Sequence, residues 1–558
     1  MDIKLNYESW LNNTDSATVS ELRTMSPEQI EDAFYRNLAF GTGGLRGVIG
    51  AGTNRMNIYT VAKATQGLAS WLNSKYEKPS VAIGYDSRIN SDVFSKTAAC
   101  VFAANGIKVN LWPQLMPVPT VSFAVRYLGC SAGVMITASH NPSKYNGYKV
   151  YGADGCQITT GDAASILEMI EATDIFSTVK KADFNHALAD GMISYIKDDV
   201  YTAYTKAVKN QSVLFGESIS RNAALVYSPL NGAGLKPVLR VLTEEGYNNI
   251  TVVEEQREPD GTFPTCPYPN PEIKEAMALG MEYARHCGAD LLLATDPDCD
   301  RVGIAVKNSA GEYVLLSGNE TGMLLLDYIC SRRRDAGKMP ANPVMVKTIV
   351  TTDMAEKIAS DYGVKTINVL TGFKFIGEQI GLLEKAGRAE DYIFGFEESY
   401  GCLAGTYVRD KDAVVGSLLI CEMFSYYASK GVSLYERLQE LYNKYGYCLN
   451  TLHSYQFEGS AGFEKMQSIM ASLRAPGAMD SLGGVKITEA KDYSKGIDGL
   501  PASDVLKYKL GNTGSLVVRP SGTEPKLKAY FSVSAASEPQ ARETENNLCR
   551  ALEEMLSA

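Results

Sequence analysis

Residues 133–142 read Gly133-Val134-Met135-Ile136-Thr137-Ala138-Ser139-His140-Asn141-Pro142. The first six are small, apolar or β-branched and predict a buried strand. The last four are polar and end on proline, so the strand runs directly into a tight turn, and a following helix cannot begin before Pro142. The pattern recurs. Asp290–Ala294 (DLLLA) leads into Asp296-Pro297-Asp298-Cys299-Asp300-Arg301, and the run YIF at 392–394 leads into Gly395-Phe396-Glu397-Glu398-Ser399-Tyr400-Gly401. Val81–Tyr85, Ala224–Tyr227, Ile250–Val253 and Val344–Ile349 read as further strands, while Asp92–Asn105 and Pro271–His286 read as helices with one apolar face. Alternation of this kind predicts repeated α/β units whose largely parallel sheets are covered on both faces. In open sheets of that class, ligand loops lie beyond the strand ends.

The C-terminal stretch is different. Leu516–Val518 and Leu527–Val533 are strands close in sequence, and a final helix carries Leu548, Leu552, Met555 and Leu556 on one face. This predicts a small α+β domain appended to the α/β body. At roughly 150 residues per domain, 558 residues suggest three or four domains. Polar links place them at 1–200, 201–316, 317–452 and 453–558. Residues 259–271 hold prolines at 259, 264, 267, 269 and 271 and must form an extended loop.

With 54 Lys and Arg against 64 Asp and Glu, the net charge is −10. Such a chain has no general attraction to nucleic acid or to anionic lipid, so any bound anion needs a local basic site. The longest apolar run, near 416–427, is interrupted by Glu422, which excludes an ordinary membrane span. The N-terminus has no basic region followed by an apolar core and is not a secretory signal. Eleven cysteines without a CxxC pair, and only four histidines, indicate neither a zinc site nor a disulfide framework. Reduced thiols in a cytoplasmic protein are the expectation.

Four loops carry chemistry. Ser139 is exposed at a strand end beside His140, with Lys144 and Lys149 following, and such a hydroxyl can be a nucleophile or phosphoryl carrier. An isolated SHNP is more simply a serine turn capping a helix. Asp296, Asp298 and Asp300 point hard oxygen ligands at one centre, suiting Mg²⁺. The EF-hand pattern fails, because Arg301 stands where Gly is needed and Lys307 where Glu is needed; a solvated acidic turn is the bland alternative. Glu397 and Ser399 offer acceptors to a polyhydroxyl ligand, although a helix start fits that loop equally well. Arg519-Pro520-Ser521-Gly522-Thr523-Glu524-Pro525-Lys526 combines an arginine fork, hydroxyls and a glycine, as a phosphate nest requires. Near the N-terminus, Phe40-Gly41-Thr42-Gly43-Gly44-Leu45-Arg46-Gly47 lacks a preceding strand and the GxGxxG spacing. It is better read as glycines presenting Arg46 to an anion than as a dinucleotide site.

Taken in order, GTGGLRG, TASHNP, DPDCDR, GFEESYG and RPSGTEP resemble the α-D-phosphohexomutase family, most closely its phosphoglucomutase branch. The resemblance implies four domains around a deep cleft, three α/β and one α+β, each giving one loop to the site. It implies that Ser139 is the phosphorylated serine and that Asp296, Asp298 and Asp300 hold Mg²⁺ together with an oxygen of the Ser139 phosphoryl group. Arg46, His140 and Lys149 would lie near the transferring phosphoryl group. Thr371, Gly372, Glu397 and Ser399 would line the sugar site, and Arg519, Ser521, Gly522 and Thr523 would hold the non-reacting phosphate. Lys411, with Lys374 second, would be the proton-transfer partner. The implied reaction interconverts glucose 1-phosphate and glucose 6-phosphate through glucose 1,6-bisphosphate, which also serves as activator. Mannose or pentose phosphates, or a Mg²⁺-dependent phosphatase, are the alternatives. The expected partners are small sugar phosphates, with no nucleic acid or membrane, and the chain is expected as a monomer or homodimer.

Overall fold

The computed structural model describes residues 2–41, 43–457, 459–475, 477, 479–521 and 526–557. Gly522 and Thr523, expected in the phosphate nest, lie outside the described residues.

Three sheets share one plan, a parallel centre followed by an abrupt reversal. In the first, Ser80–Tyr85, Lys108–Leu111, Ala132–Ile136 and Ile193–Tyr195 run parallel. Tyr145–Gly152 then pairs antiparallel with Ala132–Ile136, and Gly44–Val48 pairs antiparallel with it in turn. In the second, Leu225–Ser228 lies parallel to Ile250–Val252 and Leu291–Thr295, and Val302–Lys307 reverses along the latter. In the third, Val344–Thr348 lies parallel to Lys365–Val369 and Tyr392–Phe396, and Cys402–Leu403 reverses. Chain length dictates the reversals. Only residues 137–144, 296–301 and 397–401 separate the paired strands, whereas a parallel return needs a crossover of about a dozen residues or more.

The expectation of largely parallel sheets therefore holds at their centres and fails at these edges. Two further expectations are corrected by the same geometry: a strand, not a helix, follows both the Ser139 loop and the Glu397 loop. Each of the three turns also places one non-glycine residue in the left-handed region, Ser139 at φ 52°, Cys299 at φ 53° and Tyr400 at φ 67°. That conformation costs roughly 1–2 kcal/mol per L-residue, so packing around the loops must hold it.

The glycine loop, read as having no strand before it, is flanked by short strands Phe40–Gly41 and Gly44–Val48. At Gly44, φ is 144° and a Cβ would lie 1.8 Å from the Tyr148 carbonyl oxygen. Only glycine allows this strand to lie so close to Tyr145–Gly152, and the pairing sets Arg46 opposite Gly147 and Gly44 opposite Lys149.

The fourth sheet is wholly antiparallel, in the order Tyr447–Gln456, Lys526–Ala535, Gly514–Pro520, Leu506–Lys509, Glu489–Asp492. The helix Glu538–Ser557 covers one face, burying Leu548, Leu552 and Leu556, while Met555 stays 37% exposed. Because Tyr447–Gln456 crosses the expected 452/453 boundary and pairs within this sheet, we place that boundary before Tyr447.

The apolar run near 416–427 is a core helix, Ala413–Ser429. Its Glu422 is buried, accepting hydrogen bonds from the Val213 N–H at 3.0 Å, the Tyr328 hydroxyl at 3.0 Å and Ser212. Among the described residues no helix is long and apolar enough to cross a membrane.

Candidate active site

Each loop is set by the element before it. At the end of Ala132–Ile136, the Ser139 N–H donates to Thr137 Oγ1 at 2.8 Å, and the Ser139 hydroxyl donates to Asp296 Oδ2 at 2.9 Å. His140 Nδ1 lies 3.1 Å from the same hydroxyl. Burial, with Arg301 and Arg46 nearby, pushes the imidazole well below its ordinary range, so it is neutral.

The metal loop is tied to three parts of the chain. Its carbonyls at Pro297, Asp298 and Cys299 accept from the N–H groups of Ala233, Val118 and Ala413. Asp296, Asp298 and Asp300 are fully buried, and their ligand oxygens lie within 4.8 Å of one another. Burial, then Asp298 and Asp300, push Asp296 well above the usual carboxylate range. Burial would raise Asp300 too, but Lys411, Lys149 and Arg301 more than offset this and hold it below that range. Lys149 Nζ lies 3.0 Å from Asp298 and 3.5 Å from Asp300, and Lys411 Nζ lies 3.0 Å from Asp300. Asp298 Oδ1 and Asp300 Oδ1 remain buried without a hydrogen-bond partner among the described residues. Unmet acceptors crowded together suit a hard cation. The residues fit Mg²⁺.

In the third unit, Glu397 is buried and accepts from the Gly372 N–H at 3.0 Å. Burial raises its carboxyl to about 7, with Lys411 and Arg301 opposing and Glu398 reinforcing. Arg519, from the fourth sheet, donates to the Tyr530 hydroxyl at 3.1 Å.

These elements meet in one cavity of about 660 Å³, within the about 300–1,000 Å³ common for small-ligand sites. Arg46, Ser139, His140, Lys149, Asp300, Thr371, Gly372, Glu397, Ser399, Lys411 and Arg519 line it. Asp296 and Asp298 lie just behind its wall. Two further expected residues are likewise not among those lining it. Lys374 opens the helix Phe373–Lys385 with its Nζ 5.2 Å from the Phe375 ring centroid, and the Ser521 N–H donates to the Lys526 carbonyl at 2.7 Å.

The sequence reading missed the support of the serine loop. Asp86 and Arg88 follow the strand Ser80–Tyr85 and are almost fully buried. Arg88 donates to the carbonyls of Ser139 and Asn141, and at 3.0 Å to those of Pro142 and Tyr145. Asp86 accepts from Thr137 Oγ1 at 2.6 Å. The proline-rich loop braces the pair from the second unit, with Phe263 under the Arg88 guanidinium at 5.1 Å. The sequence shows only a charged pair one and three residues past a strand end, with nothing to mark what it binds. Glu272, also unassigned, binds Arg301 at the cleft wall.

Comparison with known proteins gives the same order of units. Models of phosphoglucomutase/phosphomannomutase α/β/α domains I, II and III match residues 37–175, 202–311 and 317–445, and the C-terminal domain model matches 478–550. A phosphoglucomutase of Staphylococcus saprophyticus is 36% identical over 538 residues, covering 94% of this chain and 96% of that one. A phosphoglucomutase of Staphylococcus aureus is 34% identical over 545 residues, covering 95% and 96%. Among solved structures, a phosphoglucomutase/phosphomannomutase family protein from Burkholderia thailandensis aligns with a TM-score of 0.68 at 17% identity, covering 92% and 97%. The open form of parafusin, a phosphoglucomutase of Paramecium, aligns at 0.69 and 18%, covering 94% and 95%. With all four domain models matched in order and relatives above 30% identity over nearly its whole length, the chain belongs to the phosphoglucomutase/phosphomannomutase family.

Proposed function

We propose that the chain interconverts glucose 1-phosphate and glucose 6-phosphate through a phosphoserine at Ser139 and a glucose 1,6-bisphosphate intermediate. The observation that carries the reading is that Ser139, with its hydroxyl on Asp296, shares one cavity with Glu397 and Arg519. The sugar comes from relatives of 34–36% identity that bear the name phosphoglucomutase.

Asp296, Asp298 and Asp300 would hold Mg²⁺ with a phosphoryl oxygen, and the ion supplies positive charge to the phosphoryl oxygens during transfer. Arg46 and Lys149 add charge on the same side. In the first half-reaction the free sugar hydroxyl attacks the Ser139 phosphoryl group. The serine P–O bond breaks, the sugar P–O bond forms, and the proton leaving the sugar hydroxyl replaces the phosphoryl group on the serine oxygen. In the second half the bisphosphate, turned over, gives its other phosphoryl group to Ser139; the departing sugar oxygen takes a proton from Lys411, and the proton leaving the Ser139 hydroxyl restores it.

The ammonium of Lys411 suits that second half. Burial alone would lower its pKa, but Asp300 and Asp410 raise it above the ordinary lysine range. It is therefore a loaded acid when Ser139 is free. Lys411 is preferred to Lys374 because it lines the cavity. Arg519 and the nest after it would take whichever phosphate is not reacting, and Glu397 and Ser399 the sugar hydroxyls between. Excluding water protects the phosphoserine. Sugar phosphates are thus the proposed partners, and the eleven unpaired thiols keep the cytoplasm as the proposed compartment.

Intact mass before and after glucose 1,6-bisphosphate, followed by coupled assays on glucose, mannose and pentose 1-phosphates, tests the reading. A gain of one phosphoryl group on Ser139 and a preference for the glucose ester support it. Release of free phosphate without isomer would make the protein a phosphatase, and a preferred mannose or pentose ester would move the substrate.

A further inference from the structure

A second cluster of donor atoms lies in the fourth unit, outside the residues lining the cleft but bonded to one of them, Thr451. The strand Tyr447–Gln456 brings up His453, and the helix Glu538–Ser557 brings up Glu545 and Cys549. The last two stand four apart on one helix face, so they address the same point on the sheet. His453 Nε2 lies 2.6 Å from Glu545 Oε1, Cys549 Sγ lies 3.2 Å from that oxygen, and Sγ and Nε2 are 3.3 Å apart. Thr451 also donates to the same carboxylate oxygen at 2.7 Å. Three donors therefore crowd a single oxygen while converging on one another. Glu545 and Cys549 are buried, and the His453 side chain is 34% exposed.

The arrangement is not that of a thiol–imidazole nucleophile. There the acid orients the ring through one nitrogen while the thiol meets the other; here the carboxylate and the sulfur meet the same nitrogen. One nitrogen, one oxygen and one sulfur aimed at a common centre is the donor geometry of a cation site. We propose that His453, Glu545 and Cys549 bind a divalent cation of the zinc class, with water as the fourth ligand on the exposed side of His453.

Metal–ligand lengths of about 2.0–2.3 Å put tetrahedral donors roughly 3.4 Å apart. At 3.3 and 3.2 Å the two sulfur separations lie within a few tenths of an ångström of this, and the His453–Glu545 distance of 2.6 Å must open most. Binding exchanges the cation for protons: the Sγ–H bond breaks, the Sγ–metal bond forms, and the proton goes to solvent. A thiolate and a carboxylate then neutralise a 2+ ion beside a neutral imidazole. The sulfur excludes Mg²⁺, which prefers oxygen alone, so this site and the aspartate triad sort different ions. The cation would tie the helix to the strand that presents Asn450 and Leu452 to the cleft.

The test uses the full chain with reduced thiols and saturating Mg²⁺, titrated with Co²⁺. One equivalent should give a thiolate-to-cobalt charge-transfer band, displaced by Zn²⁺. Cys549→Ser should lose the band and Asp298→Asn should keep it, because the triad offers no sulfur. Zn²⁺ should also raise the melting temperature of the wild-type chain and leave that of His453→Gln unchanged, which supplies the test if Cys549→Ser does not fold. Absence of the band in the wild-type chain, its persistence in Cys549→Ser, or an equal Zn²⁺ shift in His453→Gln would overturn the site.

Discussion

The Ser139 hydroxyl donates to Asp296 at 2.9 Å, joining the reversal turn of the first sheet to that of the second. Asp296 in turn accepts the N–H groups of Asp300 and Arg301, each at 3.0 Å. The candidate phosphoryl carrier is therefore anchored on the metal loop itself. Ser139→Ala removes only this hydroxyl, so turnover should fall to background while the melting temperature stays near that of the wild-type chain. A purified, folded variant retaining more than a few per cent of the mutase rate would exclude Ser139 as carrier.

The two orphan oxygens at Asp298 and Asp300 predict metal dependence. Excess chelator should stop the reaction, and Mg²⁺ should restore it. Asp298→Asn should weaken Mg²⁺ affinity by more than the about 10–100-fold typical for loss of an outer-shell partner, read as the Mg²⁺ concentration for half-maximal rate. An unchanged rate in chelator, with metal absence verified, would overturn the assignment.

Arg519 should serve both substrates. A charge-assisted bond to phosphate contributes about 1.5–3 kcal/mol, roughly a tenfold to 150-fold change in affinity. If the intermediate turns over in the cleft, Arg519→Ala should weaken glucose 1-phosphate and glucose 6-phosphate alike. Weakening of one isomer alone would mean that the nest serves a single half-reaction.

Arg88 should act by position, without touching substrate. It holds four carbonyls of the serine loop and lies over Phe263, and a displacement of about 1 Å at a reacting group can cost about 100-fold. Arg88→Lys keeps the charge and loses the fork, so kcat should fall with KM nearly unchanged, and Ser139 should be phosphorylated more slowly by the bisphosphate. A fall in KM-controlled binding with normal phosphorylation would show that Arg88 acts elsewhere.

The residues of this site were not equally legible in the sequence. Ser139 and the aspartate triad were readable because their chemistry is local, with strand, turn and ligand spacing in one run of residues. The clamp was not, because Arg88 recognises backbone carbonyls 51 or more residues away, and carbonyls leave no side-chain pattern. The reversals after each loop follow from loop length, yet a proline or glycine turn opens a helix as readily as a strand. Lys411 ranks above Lys374 in the sequence by resemblance alone, and only tertiary packing puts Lys411 on Asp300. The triad at His453 was invisible because most of a sheet separates His453 in sequence from Glu545 and Cys549.

Glu397 gives the pH dependence. Its buried carboxyl titrates at about 7, so it is largely neutral below that pH and a carboxylate above. A carboxylate accepts sugar hydroxyls at both oxygens, whereas the neutral acid spends one oxygen as a donor. The KM for glucose 1-phosphate should therefore fall as pH rises through about 7. The second ionisation of the phosphate ester, near pH 6, moves KM in the same region, so the comparison is with Glu397→Gln, which keeps the ester's contribution and loses the carboxyl's. Stability has the opposite sign. The folded carboxyl binds its proton more tightly than the unfolded one at 4.5, so this group contributes most at low pH, and its contribution is lost as pH rises from about 4.5 through about 7. Glu397→Gln should accordingly melt higher than the wild-type chain at pH 8, and the difference should shrink toward pH 5. A KM limb unchanged by the substitution, or a melting difference that grows as pH falls, would assign the titration to another group.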